Sequence, residues 1–268
     1  AARRSVAAIQ RWAGGSVRVE PWGDGRVFVV VYPESAHEWA LKYWRHTGDG
    51  LSSRRAEALL SERPAEPDGA FAKAAVRNRI AALLNVPADH VWLFPSGMAA
   101  IYTAHRAVTA LRPGARSVQF GFPYVDTLKI QQDLGPGAHF FPFGNESELP
   151  LLSGVLAAET ISGLFCEYPS NPLLVTPPLV ALSDLCARYA VPLVVDDTIS
   201  TYANVNPLPA CDLVVTSLTK FFTGRGDVMA GAVVLNPDRP LADGLRAALA
   251  AEYEDTIWGG DALLMDAY

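Results

Sequence analysis

Short apolar segments alternate with amphipathic segments from residue 91 onwards. The amphipathic segments have helical periodicity and predict helices over 98–111, 126–133, 179–189 and 240–252. The apolar segments predict strands at Val91–Phe94, Ser117–Phe120, His139–Phe141, Leu164–Glu167, Leu193–Val195, Leu213–Val215 and Ala232–Leu235. This alternation predicts an α/β fold with a mostly parallel central sheet covered by helices.

The first 90 residues follow a different pattern. An apolar segment at 27–32 predicts a short strand, and residues 38–44 predict a short helix. Residues 47–50, which include two glycines, indicate a loop that leads into 52–55, and 69–86 predicts a longer helix. We therefore divide the chain into an N-terminal arm, residues 1–60, and a large domain, residues 61–268.

The amino-acid composition argues against several classes of function. Half of the 268 residues are apolar, and 22 basic against 28 acidic residues give a net charge of −6. This charge argues against a nucleic-acid partner or an anionic membrane surface, and no apolar run approaches the ~18 residues of a membrane span. Cys166, Cys186 and Cys211 lack metal-ligand spacing and lie in or beside apolar runs. We expect reduced core thiols in a cytoplasmic protein.

Polar residues follow several predicted strands, at the sheet edge where such folds bind ligands. Ser96 and Gly97 begin a helix whose free N–H groups suit a phosphate. Asp196 ends an apolar strand, where a carboxylate needs a partner. Lys220 follows another strand, and we expect burial to lower its pKa and make it a nucleophile. Each also has an ordinary explanation, as a helix cap, a turn cap or an exposed lysine.

Together these residues form an anion cradle, a carboxylate and an amine. These are the parts that hold pyridoxal 5′-phosphate (PLP) as a Schiff base with lysine. Ser217 and Thr219 lie close enough to Lys220 in sequence to reach the phosphate. Tyr124 follows another strand and could stack on the cofactor ring, or be a half-buried core aromatic. Arg54 suits an anion, or is a solvated loop arginine.

The order of these segments resembles the Cys/Met-metabolism family of PLP-dependent enzymes, and most of all its fungal-type cystathionine γ-synthases. The matching segments are Ser96–Ala100, Tyr124 with Thr127 (family Tyr-Gly-Gly-Thr), Glu167–Pro172, Asp196–Thr198, Ser217–Lys220, and then Gly224, Asp227, Met229 and Gly231. The resemblance implies the fold-type-I transferase fold. It also implies catalytic roles for Lys220, Tyr124 and Asp196. The cofactor-binding residues that it implies are Ser96, Gly97, Met98, Tyr124, Asn171, Asp196, Ser217, Thr219 and Lys220.

The front of the chain resembles the family less closely. His46–Glu57 is similar to the fungal-type segment that replaces the usual Tyr-Ser-Arg. In the family this segment crosses the dimer, which implies that Arg54 binds the neighbouring subunit's cofactor phosphate and that the protein is a homodimer or homotetramer. Ser52 stands in place of the family tyrosine. The family also has a C-terminal small domain, with an arginine for the substrate α-carboxylate, that these 268 residues do not include.

Three positions near the site depart from the family pattern. Asp197, Arg225 and Ala230 replace asparagine, histidine and glycine. Because Asp197 is adjacent to Asp196, we expect it to point elsewhere, as a supporting or solvent-facing residue.

The resemblance implies an enzyme that acts on a small amino-acid substrate. The leading hypothesis is γ-substitution on an activated homoserine, in which an O-acylhomoserine and a thiol such as cysteine give cystathionine. The alternatives are γ- or β-elimination, or γ-substitution with a carbon nucleophile. A further alternative is a non-catalytic or split-enzyme subunit.

Overall fold

The computed structural model describes residues 1–22, 25, 27–61 and 67–268. The arm contains three helices and a hairpin, namely α1 (Ala2–Ala13), β1 (Arg18–Trp22), β2 (Val27–Val31), α2 (His37–Thr47) and α3 (Ser53–Leu60). The strands β1 and β2 pair in antiparallel fashion, with Arg18 opposite Val31 and Trp22 opposite Val27. A small core joins α1 to α2, in which Ile9, Ala36 and Tyr43 are buried.

The remaining residues alternate helices and strands. Helix α4 (Ala70–Leu84) leads into β3 (Val91–Phe94) and α5 (Gly97–Leu111). The elements that follow are β4 (Ser117–Phe120), α6 (Val125–Lys129), β5 (Ala138–Phe141), α7 (Leu149–Ala158), β6 (Leu164–Glu167), α8 (Leu179–Arg188), β7 (Leu193–Asp196), α9 (Thr201–Asn204), β8 (Leu213–Ser217), β9 (Gly231–Leu235), α10 (Ala242–Glu252) and α11 (Gly259–Asp266). Two π-helical turns, at Ile130–Leu134 and Leu218–Phe222, follow α6 and β8.

One seven-stranded sheet organises these elements, in the order β3-β9-β8-β7-β6-β4-β5. The pairs β8–β7, β7–β6, β6–β4 and β4–β5 are parallel. Strand β9 runs antiparallel to both of its neighbours, β3 and β8. The structure confirms the predicted α/β fold with a mostly parallel sheet.

Helices cover both faces of this sheet. Along β7 the side chains alternate between faces, because successive residues of a strand point to opposite sides. Leu193 and Val195 join a core under α4 and α8. Val194 joins the opposite core, beneath α5 and α10. This burial on both faces explains why the predicted strands are continuously apolar.

Several elements differ from the sequence prediction. The segment 52–55, which follows the predicted loop and was not predicted as a helix, contains the start of α3, because Ser52 Oγ accepts a hydrogen bond from Arg55 N at 3.2 Å and caps that helix. The predicted helix 126–133 is α6 continued by the first π-helical turn. The pattern gave no indication of β1, α1, α7, α9 or α11.

The three cysteines are buried and unpaired, as predicted for core thiols. Within the described ranges, no helix has both the length and the apolar character needed to cross a membrane. The same residues contain no cluster of histidine, cysteine and carboxylate side chains suited to a metal ion.

Candidate functional site

The start of α5 forms a tight turn against the end of β8. A Cβ atom on Gly97 would lie 2.6 Å from Ser217 Cβ, so the approach requires glycine. Ser96 Oγ accepts a hydrogen bond from Ala99 N at 3.1 Å and donates one to the Gly48 carbonyl at 3.1 Å. The ordinary explanation of Ser96 as a helix cap is therefore correct. It leaves the first N–H groups of the helix, at Gly97 and Met98, available to an anion.

Lys220 lies on the π-helical turn that follows β8. Its backbone has φ −86° and ψ −115°, which interrupts the helical geometry. The side chain is exposed, so the expected burial of this amine is wrong for the single chain. Thr219 Oγ1 accepts a hydrogen bond from Ala230 N at 3.0 Å and is thus engaged by the neighbouring segment. Ser217 lies against Gly97, and only a short turn separates Lys220 from Ser217. The structure therefore places Ser217 and Lys220 at the same edge as Gly97.

Two carboxylates lie side by side at the ends of β6 and β7. Glu167 and Asp196 are paired in register, and Thr198 N donates to Asp196 Oδ1 at 2.9 Å. Burial raises the pKa of Asp196. Burial and then the negative charge of Asp196 raise the pKa of Glu167 to about 7. The two side chains therefore share a site that disfavours two negative charges.

Backbone N–H groups hold Glu167 in place. Its Oε1 accepts from Tyr124 N at 2.5 Å, and its Oε2 accepts from Asn171 N at 2.7 Å. These contacts bring the backbone at Tyr124 and at Asn171, both predicted site residues, to the carboxylate pair. The Asn171 side chain itself is exposed.

The carboxylate pair and the Gly97 turn together fit PLP. No described lysine or arginine forms an ion pair with Glu167 or Asp196. A protonated pyridine nitrogen would supply the missing positive charge. The space that a Cβ on Gly97 would fill lies at the helix start, where a phosphate is favoured.

Asp197 points to the opposite face from Asp196. It is fully buried and accepts a hydrogen bond from Thr216 Oγ1 through Oδ1. Its Oδ2 atom and the Tyr202 hydroxyl are buried with no hydrogen-bond partner among the residues that the structure covers. Burial raises the pKa of Asp197 well above its usual range. The alternative of a solvent-facing residue is therefore wrong, and Asp197 supports the sheet from within.

Tyr124 lies immediately before α6, with its side chain 45% exposed. Burial of the remainder and then the charge of Asp126 raise the pKa of Tyr124, while Arg45 of the arm lowers it. Asp126 is itself buried and contacts His46, with 2.6 Å between His46 Nδ1 and Asp126 Oδ1. Tyr124 is therefore not a core aromatic, and its exposed ring is available to a ligand.

Arg54 lies apart from this edge within its own chain. Its guanidinium is 3.4 Å from Asp261 Oδ1 and 3.8 Å from Asp227 Oδ2. Arg225 stacks over the Tyr268 ring at 4.5 Å. The role of Arg54 in a neighbouring subunit stays a prediction.

Sequence reasoning gave no role to Glu167, Thr198 or His46. Thr198 Oγ1 accepts from Ser217 N at 2.8 Å and so links β7 to the Lys220 turn. The signal for Glu167 was present, since it ends one predicted strand and Asp196 follows the next predicted strand along the chain. His46 offered no such signal, because only the folded arm brings it to Asp126.

The fold, the Gly97 turn and the paired carboxylates define a PLP-dependent enzyme of fold type I. The chain belongs to the Cys/Met metabolism PLP-dependent enzyme family, which it matches over residues 67–251. PLP is the cofactor of this family.

Several named relatives come from fungi. The chain is 36% identical to a cystathionine gamma-synthase-like enzyme of Amanita muscaria, over 92% of this chain and 52% of that protein. It is 32% identical to a cystathionine gamma-synthase of Neurospora crassa, over 90% and 56%. It is also 35% identical to an alanine racemase of Aspergillus violaceofuscus, over 91% and 48%. The chain thus spans about half the length of these relatives.

Solved structures share the fold. A cystathionine gamma synthase from Xanthomonas oryzae pv. oryzae, in complex with aminoacrylate and cysteine, superposes with a TM-score of 0.60 at 24% identity. That match covers 74% of this chain and 50% of the other. A cystathionine gamma lyase from Micromonospora echinospora gives a TM-score of 0.57 at 26% identity, over 70% and 48%.

Proposed function

We propose that this protein catalyses PLP-dependent γ-substitution on an activated homoserine, with a thiol such as cysteine as the nucleophile. The observation that carries the proposal is the unbroken run of contacts at one sheet edge. It passes from Ser96 and Gly97 through Ser217 and Thr198 to Asp196 and Glu167, and on to Tyr124. The family and the resemblance to a cystathionine gamma-synthase of Neurospora crassa support it.

When bound, PLP supplies an electron sink that stabilises negative charge on the substrate carbons. The N–H groups of Gly97 and Met98 would bind its phosphate, assisted by the Ser217 hydroxyl. The carboxylate of Asp196 would hold the pyridine nitrogen in its protonated form. Glu167 lies beside Asp196, and its negative charge would also favour the protonated form of the pyridine nitrogen.

Lys220 and Tyr124 would move protons on the substrate. The amine Nζ of Lys220 is the base that removes the proton from the substrate Cα and returns it later. Its exposure in the single chain leaves it open to an incoming substrate. The Tyr124 ring would cover the cofactor, with its hydroxyl toward the reacting carbons. We expect a second subunit to add Arg54 at the phosphate and to exclude water from the site.

The test is product analysis from O-acetyl- and O-succinylhomoserine with PLP-supplied protein. We expect cystathionine when cysteine is present, and little keto acid. Release of 2-oxobutyrate and ammonia at the same rate with and without cysteine would instead support elimination. The Lys220→Ala variant should form neither product. The control variant Lys129→Ala removes an ordinary surface lysine that donates a hydrogen bond to Gln132, and it should retain activity.

A second candidate is a reaction confined to Cα, such as racemisation. Similarity to the alanine racemase of Aspergillus violaceofuscus, at 35% identity, is the observation that favours it. Ser52 caps α3 in place of the family tyrosine, so one hydroxyl expected near the substrate is absent. Incubation of L- and D-amino acids in D₂O separates the candidates. Racemisation with Cα exchange, without loss of a γ-substituent, would displace γ-substitution as the main activity.

A further inference from the structure

The arm contacts the proposed site of its own subunit at two places. Gly48, which follows α2, packs on the start of α5, where a Cβ would lie 2.2 Å from Ser96 Oγ and 2.7 Å from Met98 Cβ. Two residues earlier, His46 reaches α6 and forms the 2.6 Å contact with Asp126. A single segment of the arm therefore meets both the phosphate turn and the helix that begins beside Tyr124.

The His46–Asp126 contact is buried on both sides. His46 is 7% exposed and Asp126 is 4% exposed. A carboxylate oxygen only accepts, so the imidazole N–H donates to Asp126 Oδ1. Because a buried carboxylate without such a donor is costly, the contact fixes the position of α6 relative to α2.

The side chain of Tyr124 is only partly packed against the protein. Its backbone N–H is held by Glu167 of β6, but its ring is 45% exposed. The charged groups that act on its phenol are Asp126 from its own helix and Arg45 from α2. His46 reaches Tyr124 only through Asp126.

The contact joins two segments that differ from the usual motifs of the family, although the front segment follows its fungal-type pattern. The family segment Tyr-Gly-Gly-Thr becomes Tyr124-Val125-Asp126-Thr127, so a carboxylate stands where the family has glycine. The partner His46 begins the front segment that replaces the usual Tyr-Ser-Arg. The two departures touch each other in the folded chain.

We propose that His46 and Asp126 are positioning residues that fix Tyr124 over the cofactor from within the same subunit. The proposal rests on the proposed function, since it assigns Tyr124 to that site. The His46–Asp126 contact fixes the start of α6, and with it Tyr124, which directly precedes that helix. The arm thereby serves its own subunit as well as the neighbouring one.

A matched control lies on the same pair of segments. Lys42 of α2 forms a 3.0 Å ion pair with Asp133 of the π-helical turn after α6. It joins the arm to the same region without involving Tyr124. Asp133→Asn therefore reports the loss of an arm contact alone, and Asp126→Asn reports that loss together with any effect on Tyr124.

The first measurement uses PLP-free protein labelled with ¹³Cζ-tyrosine, and it follows the pKa of Tyr124 by NMR. Because a nearby negative charge raises a phenol pKa, Asp126→Asn should lower the pKa of Tyr124. Asp133→Asn should leave it unchanged. Tyr124→Phe identifies the resonance. Equal Tyr124 pKa values in the wild type and Asp126→Asn would overturn the proposal.

The second measurement is the PLP-loaded protein's turnover, compared among His46 variants. His46→Leu leaves Asp126 without its donor, and we expect kcat to fall about ten- to a hundredfold, as misplaced reacting groups do. His46→Asn keeps an N–H near the Nδ1 position and should retain most of the wild-type kcat. A His46→Asn variant as slow as His46→Leu, with the same melting temperature, would contradict the proposal. Failure of wild-type protein to bind PLP would refute the proposed function but leave the Tyr124 pKa result interpretable.

Discussion

At the scale of single residues, the pairing of Glu167 with Asp196 is the most consequential contact. Two carboxylates in register on adjacent buried strands repel each other, and the chain gives them backbone N–H donors but no cation. The arrangement is unfavourable in the empty chain, and a cationic ring nitrogen bound beside the pair would make it favourable. The empty site therefore already favours a positively charged group.

The raised pKa of Glu167 predicts a specific pH dependence of stability. The folded pKa of about 7 lies above the ordinary value, so between the two the folded chain binds more protons than the unfolded chain. The free energy of unfolding of PLP-free protein should therefore fall as the pH rises from about 5 to 8, by on the order of 1–3 kcal/mol from this group. Glu167→Gln should flatten that slope.

Denaturant unfolding at several pH values measures this slope. Glu146→Gln, which alters an exposed carboxylate, is the control and should leave the slope unchanged. A Glu167→Gln slope equal to that of the wild type would show that Glu167 does not bind a proton in this range.

Gly97 gives a second residue-scale prediction. Its missing Cβ would lie 2.6 Å from Ser217 Cβ and 3.0 Å from Ser217 Cα, so Gly97→Ala must push the phosphate turn away from β8. We expect PLP affinity, measured by fluorescence titration, to fall about tenfold or more, since such overpacking costs roughly 1–3 kcal/mol. Gly154→Ala in α7 meets nothing within 4 Å and is the matched control. Equal PLP affinities in the two variants would contradict this account of the turn.

At the scale of elements, the turn after α2 packs on the start of α5. Gly48 adopts φ +62° and accepts the Ser96 hydroxyl through its carbonyl. The turn therefore closes directly on the start of α5.

This docking predicts the effect of Gly48→Ala. A Cβ there would lie 2.2 Å from Ser96 Oγ, in addition to the cost of a positive φ. We expect a loss of unfolding free energy about 1–3 kcal/mol larger than for Gly114→Ala. Gly114 also has a positive φ, +80°, but meets nothing within 4 Å. Limited proteolysis should cut the arm faster in Gly48→Ala, and equal rates in both variants would disprove the docking.

The elements recovered from the sequence share one physical property. Strands such as Val91–Phe94 are buried on both faces, so their apolar runs were visible in the pattern. Helix α11 begins with Gly259 and Gly260, residues that normally indicate a loop. Strand β1 is mostly exposed and contains Pro21, so it has no apolar run. Helix α7 is nearly all apolar and carries no helical periodicity.

Only part of the candidate site could be predicted from the sequence, for a related reason. Residues at strand ends, such as Asp196, follow from the topology of a parallel sheet. The exposure of Lys220 and the contact of His46 with Asp126 depend on how loops and the arm pack. Local sequence does not encode such distant contacts.

At the scale of the whole molecule, the proposed site gathers segments from across the sheet at one edge. The phosphate turn precedes α5, the carboxylates end β6 and β7, and Lys220 follows β8. A mostly apolar cavity of about 1140 Å³ lies among α1, the β1–β2 hairpin and α2, and it reaches Pro95 beside the phosphate turn but not the carboxylates or Lys220. The convergence of donors and charges, rather than cavity size, therefore locates the chemistry.

Lys220 is proposed to hold PLP at this edge of the sheet. The most direct measurement is borohydride reduction of PLP-supplied protein, followed by peptide mapping by mass spectrometry. We predict a visible absorbance band before reduction and one pyridoxyl adduct, on Lys220, after it. Lys220→Ala should yield no fixed adduct. A colourless protein, or an adduct on another lysine with Lys220 unmodified, would contradict the account.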